Sequence, residues 1–269
     1  MLVLRLGFIP FADSEALRAE VDAFADALGE AMGDRMVPLL APDYKSLLTA
    51  LEKNIAQLAW VPPVVAARAV RGGHVLPAAV AVRGGASAYA SALFAKADAP
   101  IAGPKDLDAA RVAWVDKDSA AGYLVARAGL RGADVDLARA FRAEMFLGSH
   151  KAVARAVLEG EVDVGATYLT RGEGGTIVRA GYRELQGADD ARFKIVFEAG
   201  PIPADFFGVH ETLAGARLEA LQRALVDAPG DRVSTLAAKL FQTDGFARPS
   251  DEHAAALAAL LDLVAPLTA

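Results

Sequence analysis

Two short segments hold the residues best suited to chemistry. Val115–Tyr123 reads Val-Asp-Lys-Asp-Ser-Ala-Ala-Gly-Tyr, and Phe146–Lys151 reads Phe-Leu-Gly-Ser-His-Lys. Each has the pattern of a strand end, a small polar turn and a helix start. The first N–H groups of a helix have no acceptor inside it and mark its positive end. Two such turns facing one space would therefore hold a small oxyanion through the backbone, without a metal. Ser119 opens the first turn and His150 follows Gly148-Ser149 in the second. The plain alternative for Ser119 is an ordinary helix cap, since capping and anion holding share this geometry.

Other chemistries find little support. The chain has no cysteine, which excludes thiolate metal sites, disulfides and cysteine nucleophiles together. Its four histidines, His74, His150, His210 and His253, are far apart in sequence with no metal-ligand spacing, so no metal or cofactor is expected. The glycine-rich run Arg171–Thr176 fails the dinucleotide fingerprint because Ile177 stands where the last glycine belongs, and no lysine follows as in a P-loop. It reads as a surface loop. No His-Glu-x-x-His or Gly-x-Ser-x-Gly pattern is present. With 28 basic and 34 acidic side chains the net charge is −6, which offers no field for nucleic acid. Asp116 and Asp118 flank Lys117 beside the first turn, where they would oppose a fully ionised anion unless the lysine offsets them.

The elements that must position these turns alternate along the chain. With 269 residues, 54% of them hydrophobic, there is material for two modest cores. A strand over Leu2–Ile9, a polar turn at Ala12-Asp13-Ser14 and a helix over Glu15–Met32 form the first unit, with Leu17, Val21, Phe24, Leu28 and Met32 as the apolar stripe. Further strands are expected at 36–40, 57–61, 75–82, 112–115, 144–147, 162–166 and 194–198. Helices are expected at 43–51, after the Pro62-Pro63 break, and over 213–226, 233–241 and 252–264. Such alternation implies α/β architecture with mainly parallel, covered sheets. Arg83-Gly84-Gly85 marks a change of chain direction, which gives one lobe from residues 1–85 plus 201–269 and a second from 86–200 carrying both turns. The N-terminus lacks a basic n-region and a long apolar h-region. Removal of a signal would imply a periplasmic or extracytoplasmic protein, and a natural start at Met1 a cytoplasmic one. No apolar run is long enough to insert in a membrane.

Taken in order, Tyr44–Leu51, Leu58-Ala59-Trp60-Val61-Pro62-Pro63, Ser119-Ala120-Ala121-Gly122-Tyr123 and Gly148-Ser149-His150 through Gly160–Ala166 resemble one family. It is the phosphonate, phosphite and phosphate-binding solute receptors of ABC transporters. The resemblance implies a two-lobed type II periplasmic-binding-protein fold with a central cleft and a two-stranded hinge. The protein would be a non-enzymatic monomer that takes a small oxyanion and delivers it to an ABC permease. It also implies roles: Ser119 donates its hydroxyl to an anion oxygen, the N–H groups of Ala120, Ala121 and Gly122 complete the cradle, and His150 donates a ring N–H. Tyr44 and Tyr89 would add phenolic donors.

Departures from the family pattern narrow the expected ligand. Many relatives carry a second hydroxyl two positions after the first serine, where this chain has Ala121. Relatives that take an aminophosphonate place an acid just beyond the strand matching Val162–Ala166, where this chain has Thr167-Tyr168-Leu169-Thr170. Thr167 joins the candidate set. A ligand without an ammonium group follows, unless Asp205 or Glu198 meets one. Trp60 lies at a strand end, where open α/β sheets bind ligands, although a core position suits a tryptophan as well. Ser87, Tyr89 and Ser91 share one face of an alternating segment. Two other classes remain open on the same fold, a cytoplasmic enzyme and a ligand-sensing module, because function resides in the site.

Overall fold

The computed structural model describes residues 1–9 and 15–268, so the expected turn at Ala12–Ser14 lies outside the described residues. The chain divides into two compact units, Met1–Ser87 with Pro203–Leu261, and Ala88–Ile202 with the chain from Asp262 onward.

In the first unit, β1 (Val3–Phe8), α1 (Glu15–Met32), β2 (Arg35–Leu40), α2 (Tyr44–Glu52), β3 (Leu58–Val61), α3 (Pro63–Arg71) and β4 (Val75–Val82) follow one another. The α1 stripe buries Val21, Phe24 and Leu28 completely, while Leu17 and Met32 pack at the margin. Each such side chain contributes about 1.5–3 kcal/mol when fully buried. Pro63 sits at the first turn of α3, where its missing N–H is not needed.

The second unit holds β5 (Ala88–Lys96), β6 (Ala110–Trp114), α4 (Val125–Gly132), α5 (Leu137–Ala140), β7 (Phe141–Phe146), α6 (His150–Glu159), β8 (Val164–Arg171), β9 (Ile177–Ala180) and β10 (Phe193–Pro203). A π-helical turn, Ala120–Leu124, runs directly into α4. The chain then returns to the first unit with β11 (Phe206–His210), α7 (Ala216–Gln222), α8 (Arg232–Leu240), β12 (Gly245–Ala247) and α9 (Asp251–Thr268), whose residues from Asp262 onward are grouped with the second unit.

The first sheet is ordered β12-β4-β11-β3-β1-β2 and the second β10-β5-β8-β6-β7, with β9 on β8. Both are mixed, which corrects the expectation of mainly parallel sheets. The parallel pairs are β1 with β2 and β3, and β6 with β7 and β8. Strands β11 and β12 run antiparallel to their neighbours, and β5 and β9 run antiparallel to β8. A parallel pairing needs a crossover of a dozen residues or more, and the step from β8 to β9 does not have that length. The helix expected over 213–226 is also broken: Gly215, at φ +82°, precedes α7, and a π turn follows at Arg223–Asp227. The Arg171–Thr176 run is the tight turn between β8 and β9, with Gly174 at φ +68°.

In the second sheet, alternate residues face two different cores. Leu93, Val112, Trp114, Val164 and Ala166 meet Ala126 and Leu130 of α4 on one face. Ala92, Phe94, Ala113, Val115 and Leu169 meet Val153, Ala154 and Val157 of α6 on the other. One helix on each face thus begins at the carboxyl end of a parallel strand, β6 for the α4 run and β7 for α6.

Candidate anion-binding site

The two turns are joined through a single residue. Val115 N–H donates to the Gly122 carbonyl at 3.1 Å, and Gly148 N–H donates to the Val115 carbonyl at 2.8 Å. Two helix starts are thereby fixed side by side beyond the ends of β6 and β7, the edge at which open α/β sheets bind ligands. Within the first turn Ser119 N–H closes on the Asp116 carbonyl at 3.1 Å, and Asp118 N–H bonds the Asp116 carboxylate at 2.8 Å. Ser119 is buried and caps the helix, its Oγ accepting from Gly122 N–H at 3.1 Å. A Cβ on Gly122 would lie 2.5 Å from Val115 Cγ2, so only glycine lets this turn close against the strand.

The cap modifies the cradle expected from the sequence. Gly122 N–H is committed to Ser119, which leaves Ala120 and Ala121 to supply the opening N–H groups. The Ser119 hydroxyl keeps its own hydrogen to donate. Ala120 and Ala121 are both buried, and the Ala121 carbonyl accepts from Ser91 Oγ at 2.6 Å. That bond ties β5 to the turn. Tyr89 lies two residues before Ser91 on the same face of β5.

Ser149 caps α6 by accepting from Ala152 N–H at 3.2 Å, and Gly148 adopts φ +77° to enter the turn. His150 opens the helix half-buried, with Nδ1 3.1 Å from Thr167 Oγ1 and its ring edge-on to Tyr168 at 4.8 Å. Gly181 backs this contact, since a Cβ there would lie 2.2 Å from Thr167 Oγ1 and 2.9 Å from His150 Cγ. Nothing in the sequence around Gly181 signals that role. Enclosure of the imidazole, and then the nearby Arg179 charge, push its pKa down to about 4. The ring is neutral at pH 7. With Thr167 O–H donating to Nδ1, Nε2 carries the proton and the side chain offers a single N–H donor.

Ser119, Ala120, Ala121, Gly122, Tyr89, His150 and Thr167 thus all belong to the second unit. Three expected residues lie in the first. Tyr44 begins α2, behind an Asp43 cap that accepts from Ser46 N–H at 2.7 Å, and rests half-buried against that unit's core. Trp60 is a core residue, stacked on Phe241 at 4.4 Å and edge-on to Phe207 at 5.0 Å. Asp205 is held by Arg83, whose Nη1 lies 2.9 Å from Oδ2. Arg83 also donates to the Phe241 and Gln242 carbonyls, each at 3.0 Å, and stands over the Trp60 ring. Glu198 is likewise engaged, accepting from Arg171 Nε at 3.0 Å. Both acids considered for an ammonium group are therefore paired with arginines. Among the described residues no three His, Asp or Glu side chains are grouped to hold a metal ion, and no helix is long and apolar enough to cross a membrane.

This architecture is that of the type II periplasmic binding proteins. A Xanthomonas citri protein solved with chloride matches with a TM-score of 0.80 and 22% identity, over 99% of this chain and 98% of that one. PhnD1 of Prochlorococcus marinus, solved with methylphosphonate, matches with a TM-score of 0.75 and 16% identity, over 97% of both chains. The model of the family described as ABC transporter, phosphonate, periplasmic substrate-binding protein matches residues 6–254, and the chain belongs to that family. The phosphate-import protein PhnD of Mycolicibacterium smegmatis is 30% identical over 180 residues, which cover 62% of this chain and 55% of that protein. The resemblance read from the Tyr44, Trp60, Ser119 and His150 segments is borne out at the level of family and fold.

Proposed function

We propose that the protein is the solute receptor of an ABC importer, working outside the cytoplasm, and that it binds a phosphonate, phosphite, phosphate or related small oxyanion. The observation that carries this reading is the pair of helix starts locked together through Val115, with the Ser119 hydroxyl and the neutral His150 ring beside them. Such a site fits an anion held by N–H and O–H donors, a geometry that requires no net positive side chain. The ligands named for two relatives, phosphate for the import protein and methylphosphonate for the Prochlorococcus protein, belong to the same chemical class.

The receptor performs no reaction in this reading. Ser119 Oγ is bonded to a backbone N–H, and among the described residues no imidazole or carboxylate is hydrogen-bonded to it as a base would be. Delivery to a membrane permease is the role that family membership supports.

Calorimetry with inorganic phosphate, phosphite, methylphosphonate, 2-aminoethylphosphonate and sulfate tests the proposal. At least one phosphorus oxyanion should bind saturably, and Ser119→Asp should abolish that binding by placing a carboxylate at the helix start. Binding of none of the five, or wild-type affinity in Ser119→Asp, would overturn it.

A further inference from the structure

Strand β5 buries a hydroxyl where its neighbours are hydrocarbon. Ser91, Leu93 and Ala95 alternate along the strand, which places them on the face covered by α4, and all three are fully buried. A buried hydroxyl costs free energy unless it is hydrogen-bonded, and Ser91 spends its hydrogen on the Ala121 carbonyl at 2.6 Å. That carbonyl takes an outside donor because of the helix start it belongs to. In an α-helix it would accept from Val125 N–H, but the first turn is π-helical and Val125 N–H donates to the Ala120 carbonyl instead. On the other side of the same peptide unit, Gly122 N–H donates to Ser119 Oγ at 3.1 Å. The groups form one directed chain: the Ser91 hydroxyl bonds the Ala121 carbonyl, the peptide carries the polarisation to Gly122 N–H, and that N–H bonds the Ser119 oxygen.

We infer that Ser91 is a positioning residue of the anion site, which acts through the Ala121–Gly122 peptide to orient the Ser119 hydroxyl and strengthen it as a donor to the bound oxyanion. The inference rests on the proposed anion-binding function. Hydrogen bonds in a chain polarise one another when each group accepts from behind and donates forward, as the peptide and Ser119 do here. Holding the acceptor side of Ser119 Oγ on Gly122 N–H leaves its hydrogen for the ligand. The peptide is fixed at both ends, so the hydroxyl is set before the anion arrives and little ordering remains to be done on binding. With its one hydrogen committed to Ala121, Ser91 donates nothing to the ligand directly.

Ser91→Ala removes the first donor of the chain, and Ser91→Cys weakens it at nearly constant size, since a thiol is a poor donor. Calorimetry with inorganic phosphate, phosphite, methylphosphonate and 2-aminoethylphosphonate measures the effect. Each variant should bind about tenfold more weakly whichever of these the wild type binds, or about 1.4 kcal/mol. Ser119→Gly removes the hydroxyl at the receiving end and keeps a residue suited to the helix cap. In that background Ser91→Ala should cost less than about twofold, because members of one hydrogen-bond network do not contribute additively. The Gly122 amide proton of ligand-free Ser91→Ala should resonate upfield of its wild-type position, the signature of a weakened bond to Ser119. A serine that only supports the fold would lower Tm and move neither the coupling to Ser119 nor this resonance. Undiminished affinity in both Ser91 variants, an equal loss with and without the Ser119 hydroxyl, or an unmoved Gly122 resonance would overturn the inference. Failure of the receptor reading is distinguishable, because the wild-type protein itself would then bind none of these anions.

Discussion

Acidification should destabilise this protein through His150 in particular, and the size of the effect follows from where the ring sits. An imidazole in an unfolded chain titrates near 6.5. In the folded protein, enclosure against Thr167, Tyr168 and Gly181 and the charge of Arg179 hold it down to about 4. A group whose folded pKa is depressed is protonated first in the unfolded chain. Its contribution to stability is full above the unfolded value and is lost as pH falls from about 6.5 towards about 4. Taking those two values, the loss attributable to His150 is about 2 kcal/mol between pH 7 and pH 5 and about 3 kcal/mol by pH 4. His210 and His253 are also depressed by burial, so the total acid effect includes them and only a difference measurement isolates His150.

Replacing His150 with asparagine keeps a polar group in reach of Thr167 and removes the titration. Urea unfolding of the wild type and His150→Asn at pH 7 and pH 5 forms a thermodynamic square. The wild type should lose about 2 kcal/mol more than the variant across that interval. The imidazole proton resonances supply a direct check, since only four histidines are present and each can be assigned by substitution. A bound oxyanion at the site should raise the His150 pKa, so that ligand binding near pH 5 takes up protons. A His150 titration midpoint at or above 6.5 in the free protein, or equal losses in the two proteins, would refute the account of the ring as a neutral donor.

Two further substitutions test the supports of the site and of the first unit. Gly122→Ala forces a methyl to within 2.5 Å of Val115 Cγ2 at the residue that links both turns; overpacking of this kind costs about 1–3 kcal/mol. Denaturation and calorimetry should show lower stability and weaker oxyanion binding together, and wild-type behaviour in both would contradict the tight closure described. Asp205→Asn removes the charge that faces Arg83, in a pair whose side chains are only 10% and 18% exposed. The loss should be about 3 kcal/mol, at the low end for a broken buried pair because Arg83 keeps the Phe241 and Gln242 carbonyls. Urea unfolding followed by tryptophan fluorescence measures it directly, and a loss below about 1 kcal/mol would show the pair to be dispensable.

Local signals in the chain were enough to read the scaffold and the turns. A 3.6-residue apolar period delimits α1, Pro62-Pro63 starts α3, and the serine caps at 119 and 149 mark two helix starts, because each depends on a few neighbouring residues. Strand direction was less legible, since the antiparallel course of β11 is defined against β3 and β4, partners distant in sequence, and not by its own residues. Side-chain roles that depend on distant partners were least legible. Asp205 reads as a free acid until Arg83, 122 positions earlier, is found against it. Trp60 reads as a strand-end ligand contact or a core residue until Phe207 and Phe241 are found packed against it. Thr167 and Thr170 look alike in sequence, three residues apart on one strand. The pleat sends them to opposite faces, where Thr167 spends its hydroxyl on His150 while Thr170 meets no acceptor. A difference of one strand face therefore separates a threonine that meets His150 from one that meets no hydrogen-bond partner among the described residues. That distinction follows from the register of β5 and β8, and a single sequence does not determine it.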